Sequence, residues 1–507
     1  MTHTQSNGIV DSSLYRNQFV LGPRYVPQFE SWQKIKINDS LYLTAHPELG
    51  VHEVSKKGKS IILLGFMLDP VAPDATDPEI IGALIKNMVT YEDILQHTER
   101  FGGRWILIVN DGRDISLFND ATGLRQVYYT ASYCTKGIWC ASQPMIIAQL
   151  LNLEIDAEAA AFINSAELKN NKGRWWPGDG SPYKEIKHLL PNHRLDLRTG
   201  YSHRFWPNKK LDEIPLGVAI EKISPILQGL MQSAANRFDL TLLITAGRDS
   251  RLVLAACRGL AEKLAYVSVK ALDGAGYDTK VPASLLSKLG LKHTIATRPS
   301  KPSRDFRTQY EKNAILLNES YAAVAEALFP YLMQRKVAVT GNDAEITRFF
   351  YKLPRLARNK LTPARICLLT GMGNHPFAVK AFEKWLSGMA HAYDFDLLDI
   401  LYWEQRAGNW LANWLLEYDL VWKDCVVAFN SRRLLTTMLS VDKRYRGPPE
   451  YELYRKLIFS LWPELLCEPI GNDNMHARKR SYLWSTKTRI DSYRRSIKDN
   501  VRFLLCN

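Results

Sequence analysis

The chain has 507 residues, 46% hydrophobic and 23% charged, the balance of a globular protein with about two to four domains. No apolar run reaches the roughly 18 residues of a membrane span, and the polar start Met-Thr-His-Thr-Gln-Ser-Asn-Gly is not that of a secretory signal. The formal charge of +14 keeps anionic partners open: nucleic acid, a membrane surface or a polyanionic substrate.

Seven cysteines (134, 140, 257, 367, 425, 467 and 506) are scattered singly, with no Cys-x-x-Cys pair. That argues against a zinc or iron–sulfur site and for a reduced, cytoplasmic protein.

Residues 1 to 205 read as mostly β. Leu41-Tyr42-Leu43, Ser60 to Gly65 and Trp105 to Val109 are short apolar segments bounded by turn residues. Asn110-Asp111-Gly112 joins the last of these to Ile115-Ser116-Leu117-Phe118 as a hairpin, because Asn and Gly tolerate positive φ. Residues 78–89, 91–100 and 144–151 have helical patterns. The mixture predicts a layered α+β unit.

Aromatic and proline residues give way to a polar linker near Phe205-Trp206-Pro207-Asn208-Lys209-Lys210. Residues 218–236 carry apolar side chains at a helical period. Then Leu240-Thr241-Leu242-Leu243-Ile244 reads as a buried parallel strand, and Thr245-Ala246-Gly247-Arg248-Asp249-Ser250 as the turn into a helix. Such a turn offers backbone N–H groups and partial positive charge to an anion. Thr245 and Ser250 add hydroxyls, and Asp249 adds a carboxylate fit for a divalent metal beside a phosphate. The alternative is an ordinary strand–helix turn capped by Asp249 or Ser250.

Two more strands, at 264–269 and 293–296, flank a helix at 278–289. This βαβαβ alternation predicts a parallel sheet with its ligand above the carboxyl ends of the strands. A further strand, Lys336 to Thr340, ends in Gly341-Asn342-Asp343-Ala344-Glu345.

Residues 384–440 are dense in apolar helical segments. Among them Glu404 and Arg406 read either as an ion pair or as the lining of an acceptor pocket.

The C-terminal segment 476–507 holds nine Lys and Arg (478, 479, 480, 487, 489, 494, 495, 498 and 502) against Asp491 and Asp499. Tyr482, Leu483, Trp484, Ile490, Tyr493, Ile497, Val501 and Leu504 recur at rough helical spacing, which predicts a docked amphipathic helix.

Thr245 to Ser250 resembles the Ser-Gly-Gly-X-Asp-Ser loop of ATP pyrophosphatases. Phe101 to Trp105, Asn119 to Tyr129, Ala141-Ser142-Gln143 and Ser181 to His193 resemble the class II glutamine amidotransferase domain of asparagine synthetase. Asp278 with Leu289 to His293, Thr340 to Glu345 with Tyr351, Ala428 to Leu435, and Glu450 to Pro463 resemble that family's synthetase domain. The resemblance implies an α+β N-terminal domain (1–205), an Ntn-hydrolase-like αββα sandwich. An α/β parallel-sheet ATP pyrophosphatase domain with a helical C-terminal extension (206–475) and the basic helix (476–507) follow.

It further implies ATP and Mg²⁺. ATP and pyrophosphate contacts fall on Leu243, Thr245, Ala246, Gly247, Arg248, Asp249, Ser250, Val269 and Gly341. Metal ligation falls on Asp249 and Glu345, and catalytic roles on Glu345, Lys443 and Arg455. The family's catalytic lysine falls on Tyr451 in this chain, and Lys443 and Arg455 are substitutes off that register. The glutaminase of this family needs Cys directly after the initiator Met. Thr2 stands there, so an inactive amidotransferase-like scaffold is expected. The expected reaction joins a carboxylate, activated by ATP with release of pyrophosphate, to an amine other than glutamine-derived ammonia. Small-molecule carboxylate and amine are then the partners, in natural-product or surface-polysaccharide biosynthesis, and a homodimer is an open option. Three other readings compete: a non-catalytic scaffold, a glutamine-dependent asparagine synthase, and a tRNA-modifying pyrophosphatase. The missing cysteine pairs and the N-terminal domain argue against the last, and so against nucleic acid.

Overall fold

The computed structural model describes residues 14–130, 137–270, 276–351, 361–390, 392–393 and 395–471. Thr2, Cys134, Cys506 and the basic segment 476–507 lie outside the described residues. Among the described residues, no helix is long and apolar enough to cross a membrane.

The first part of the chain builds two six-stranded sheets. The strands are β1 (Phe19–Gly22), β2 (Gln33–Asn38), β3 (Leu41–Ala45), β4 (Val51–Lys56), β5 (Lys59–Leu68), β6 (Gly102–Asn110), β7 (Ile115–Asn119), β8 (Tyr128–Thr130), β9 (Cys140–Ala141), β10 (Ile186–His188), β11 (His193–Asp196) and β12 (Ser202–Arg204). One sheet runs β10-β8-β9-β1-β3-β2 and the other β12-β11-β7-β6-β5-β4. The expected hairpin is present: β6 and β7 pair antiparallel from Ile106↔Asn119 to Asn110↔Ile115.

Strand alternation decides the layering. Phe19, Leu21 and Leu43 of the first sheet meet Ile62, Leu64, Ile106 and Ile108 of the second in one buried cluster. The opposite faces take helices. Ile61, Leu63 and Leu107 pack under α1 (Asp77–Asn87) and α2 (Tyr91–Thr98). Val20, Tyr128 and Ile186 pack under α3 (Pro144–Leu151). The sequence reading missed two short helices that follow, α4 (Ala157–Asn164) and α5 (Ala166–Asn170). It also missed that Tyr15 to Gln18 is packed chain leading into β1.

The second part centres on five parallel strands: β13 (Leu240–Leu243), β14 (Ala265–Lys270), β15 (Thr294–Thr297), β16 (Val337–Thr340) and β17 (Asp424–Val427). Their order is β15-β14-β13-β16-β17, and every neighbour pair is parallel. Both faces are covered, as a parallel sheet requires. Leu242, Val337 and Val339 pack with Leu227 and Leu230 of α6 (Leu216–Arg237) and Leu252 of α7 (Arg248–Ala256). Val267, Ala338 and Val427 pack with Phe306, Leu415 and Tyr418 on the other face. From β13 the chain moves outward to β15 on one side, then returns to β16 on the other. The order reverses between β13 and β16, and in an open parallel sheet the carboxyl ends of the strands at such a reversal are where ligands sit.

One helical contact titrates in an accessible range. The Tyr310 hydroxyl bonds the Glu417 carboxyl, and both side chains are buried. Burial pushes the Glu417 carboxyl up to about 8, against the pull of that hydrogen bond. The folded state therefore holds a proton that the unfolded chain releases near the ordinary carboxylate value. This contribution is fully present below pH about 4.3 and is lost as pH rises through 8, with a slope of at most about 1.4 kcal/mol per pH unit. Glu417→Gln is expected to flatten the fall in stability between pH 5 and 8, measured as denaturation midpoint against pH; an unchanged slope refutes it.

Candidate functional site

The candidate site lies at the reversal point, between the turn after β13 and the turn after β16. In the first, Thr245 is exposed and its loop is closed from within. The Thr245 N–H donates to Ser250 Oγ at 3.2 Å, and the Gly247 N–H donates to Thr245 Oγ1 at 3.1 Å. Ser250 thus spends its hydroxyl holding the loop rather than facing outward. The Ala246 N–H donates to Asp278 Oδ1 at 3.3 Å, which places the start of α8 (Tyr277–Lys288) beside the loop. The Gly471 N–H donates to the Ala246 carbonyl at 2.8 Å. Arg251 anchors the same C-terminal strap: its guanidinium donates to the carbonyls of Leu465, Glu468 and Pro469.

Gly341 ends β16 against the first turn of α7. A Cβ there would meet the Asp249 carbonyl carbon and the Ser250 nitrogen at 2.7 Å each. Both are backbone atoms in a packed helix, so neither side yields cheaply. Gly341→Ala is expected to destabilise the protein by about 1–3 kcal/mol. An unchanged midpoint in chemical denaturation would show that the turn is looser than its packing implies.

Beyond Gly341, Asp343 has φ 71° and is buried, accepting from Thr122 Oγ1 at 2.7 Å. Burial pushes its carboxyl well above the usual range. A 3-10 turn, Ala344–Thr347, then carries Glu345. Tyr454 fixes this turn by donating to the Ala344 carbonyl at 2.7 Å. Arg446 donates to the Thr347 carbonyl at 2.8 Å.

The two turns deliver their acids to one cation. Arg348 Nη2 lies 2.7 Å from Asp249 Oδ2 and 3.0 Å from Glu345 Oε1. The three side chains are 17%, 16% and 18% exposed for Asp249, Glu345 and Arg348, so one edge of the cluster reaches solvent. Burial pushes the Asp249 carboxyl up; Arg348 pulls it down, and Glu345 pushes it further up. Arg348 is held protonated by the same two acids, against burial. One guanidinium against two carboxylates leaves an uncompensated negative charge, so the upward direction for Asp249 is the physical one. Asp249 Oδ1 and Glu345 Oε2 are buried without a hydrogen-bond partner.

Among the described residues, no group of three His, Cys, Asp or Glu could hold a metal. Two carboxylates with one uncommitted oxygen each suit Mg²⁺, which takes one or two protein carboxylates and completes its shell with phosphate oxygens and water. The donor set therefore fits the expected ion.

The other expected residues divide. Leu243 and Val269 sit half-buried near the carboxyl ends of β13 and β14. Arg248 places its guanidinium 3.6 Å from the centroid of the Tyr451 ring. A cation thus lies against Tyr451, supplied by the loop and not by the later helix. Lys443 pairs with Asp396 at 2.8 Å and Arg455 is exposed on the helix Glu452–Leu461, on the face away from buried Tyr454 and Leu457. Neither forms an ion pair with Asp249 or Glu345.

Glu404 and Arg406 do not pair. Glu404 is fully buried and bound by Arg204, with Asn192 at 3.1 Å and Trp385 at 2.9 Å. Arg406 lies over Trp410 at 4.8 Å and Phe350 at 5.0 Å. Residues two apart on a helix project to different sides, which is why the pair does not form.

Reasoning from sequence gave Arg348 no role and missed the support given by Thr122, Tyr454 and Arg446. The Glu345–Arg348 spacing of three was the available signal for the first.

No family model matches the chain, and no curated protein matches it. Among solved structures, one described as the structure of the allosteric regulatory enzyme of purine biosynthesis has a TM-score of 0.26 at 11% identity, over 59% of this chain and 73% of that one. The glutamine phosphoribosylpyrophosphate (PRPP) amidotransferase from B. subtilis, complexed with ADP and GMP, has a TM-score of 0.24 at 10% identity, over 76% of this chain and 89% of that one. Both scores are far below that of a shared fold, so the site stands on its own residues.

Proposed function

We propose that the site binds Mg²⁺ and ATP, and that the protein is an ATP-dependent ligase joining a carboxylate to an amine. The observation that supports this most is the Asp249–Glu345 pair at the chain reversal between β13 and β16. Each acid keeps an uncommitted oxygen there, beside the start of α7.

Asp249 and Glu345 would hold the metal, which would supply positive charge to neutralise the phosphates. The start of α7 takes the polyphosphate through backbone N–H groups. The substrate carboxylate attacks the α-phosphorus and displaces pyrophosphate; the amine then attacks the acyl carbon, loses a proton and displaces AMP. Little covalent work falls to the protein, and its part is positioning and charge stabilisation. Arg248, stacked on Tyr451, supplies positive charge at the loop. No side chain of the N-terminal sheets takes part in the chemistry; Thr122 supports Asp343 from below.

Titration calorimetry with ATP and Mg²⁺ tests the reading. Saturable binding in the wild type, abolished in folded Asp249→Ala protein, is the expected result. No heat in either protein refutes the nucleotide site and favours a non-catalytic scaffold.

A further inference from the structure

Arg348 occupies an unusual position for a structural ion pair. The chain shows what such pairs look like elsewhere. Arg104 grips Asp419 with both nitrogens, at 2.6 and 2.9 Å, with side chains only 2% and 3% exposed. Arg204 likewise meets both oxygens of the fully buried Glu404. Arg348 instead shares one nitrogen between two acids and leaves one oxygen of each uncommitted, along with its own buried Nε. The cluster is also several-fold more exposed than the Arg104 pair. Its fork is not matched to either acid, so the cluster lacks the full set of bonds that makes such pairs rigid.

The backbone beneath is the reverse. The turn carrying Glu345 is pinned by Tyr454 and Arg446, and Arg348 follows it directly. A long side chain on a fixed turn changes partner without moving the acids.

Resting on the Mg²⁺–ATP reading, we propose that Arg348 is the resident counter-ion of Asp249 and Glu345 and is exchanged when nucleotide and metal arrive together. The metal takes the carboxylates, repels the guanidinium, and Arg348 turns to the polyphosphate. Two positive charges from the metal and one from Arg348 cannot share two carboxylates favourably, whereas the phosphates offer the guanidinium matched acceptors. Metal alone therefore binds poorly, because it must displace Arg348 with no phosphate to receive it.

The probe is Mn²⁺, followed by equilibrium dialysis with and without ATP, so that metal retained with the protein is read apart from Mn²⁺–ATP free in solution. Wild-type protein is expected to take up Mn²⁺ only when ATP is present. Arg348→Met is expected to bind Mn²⁺ without ATP at least tenfold more tightly than wild type. Arg348→Gln serves as the second variant if the first does not fold. Tight uptake of Mn²⁺ alone by the wild type overturns the exchange, and that arm needs no variant. Equal, weak uptake by variant and wild type without ATP, while both bind Mn²⁺ with ATP, also overturns it and leaves the nucleotide reading standing. Failure of wild type to bind Mn²⁺ even with ATP overturns both.

Discussion

Asp419→Ala is expected to destabilise the protein by about 3–5 kcal/mol, the cost of stranding a buried charge. Asp419 receives both nitrogens of Arg104 and, at 3.3 Å, the side-chain amide of Asn17. Asp424 holds Arg104 at 3.2 Å and Arg125 at 2.9 Å. Arg104 lies on β6 of the first part of the chain, and Asp419 and Asp424 flank the entry to β17 of the second. The network thus ties the sandwich to the parallel sheet across 315 residues of sequence. Removing Asp419 leaves Arg104 with Asp424 alone, and Asp424 must also serve Arg125. The pair is not expected to be better than a packed apolar one. Arg104→Met with Asp419→Leu should therefore recover most of the loss. Guanidinium titration followed by tryptophan fluorescence decides this, with coupling read from the double-mutant cycle. A single variant within 1 kcal/mol of wild type would show, by the size expected of a stranded charge, that water reaches the network.

That network also shows where the sequence could be read and where it could not. Apolar runs bounded by turn residues and the 3.6-residue period are local, and they located β6, β7, α6, β13, β14 and β16 closely. The turn after β13 and the acid after β16 were legible because each follows directly from a buried strand. Side-chain partnership across the fold is not local. Glu404 meets Arg204, two hundred residues away, while its neighbour Arg406 faces aromatic rings. The two-residue spacing of Glu404 and Arg406 argues against their pairing, but nothing in the run Tyr402 to Trp410 names Arg204 as the partner. The missing lysine near the C-terminus invited Lys443 or Arg455 as replacement. The stack of Arg248 on Tyr451 puts positive charge at that place from a residue already in the loop. The strap that ends on the Ala246 carbonyl was invisible for the same reason: its donor, Gly471, lies more than two hundred residues downstream and carries no side chain to mark it.

Asp249→Asn is expected to lower ATP-dependent pyrophosphate release by about 10²–10³-fold, the range for losing one group that stabilises charge in the transition state. The substitution keeps shape and burial but removes one of two negative charges facing the metal. It also removes the charge that Arg348 contacts at 2.7 Å. Because burial already pushes the Asp249 carboxyl up, the neutral amide should be tolerated by the fold, and stability is expected to change little. That separation is the value of the variant: activity falls while the denaturation midpoint holds. Glu345→Gln is expected to act in the same direction, and the double variant to lose little more than either single one, since both acids serve one ion and act as a unit. Pyrophosphate release is measured with a panel of carboxylates and amines on wild type first, so that a turnover exists to be lost. Wild-type activity that survives Asp249→Asn undiminished would place the chemistry elsewhere and leave the Asp249–Arg348–Glu345 cluster as a structural tie between β13 and β16.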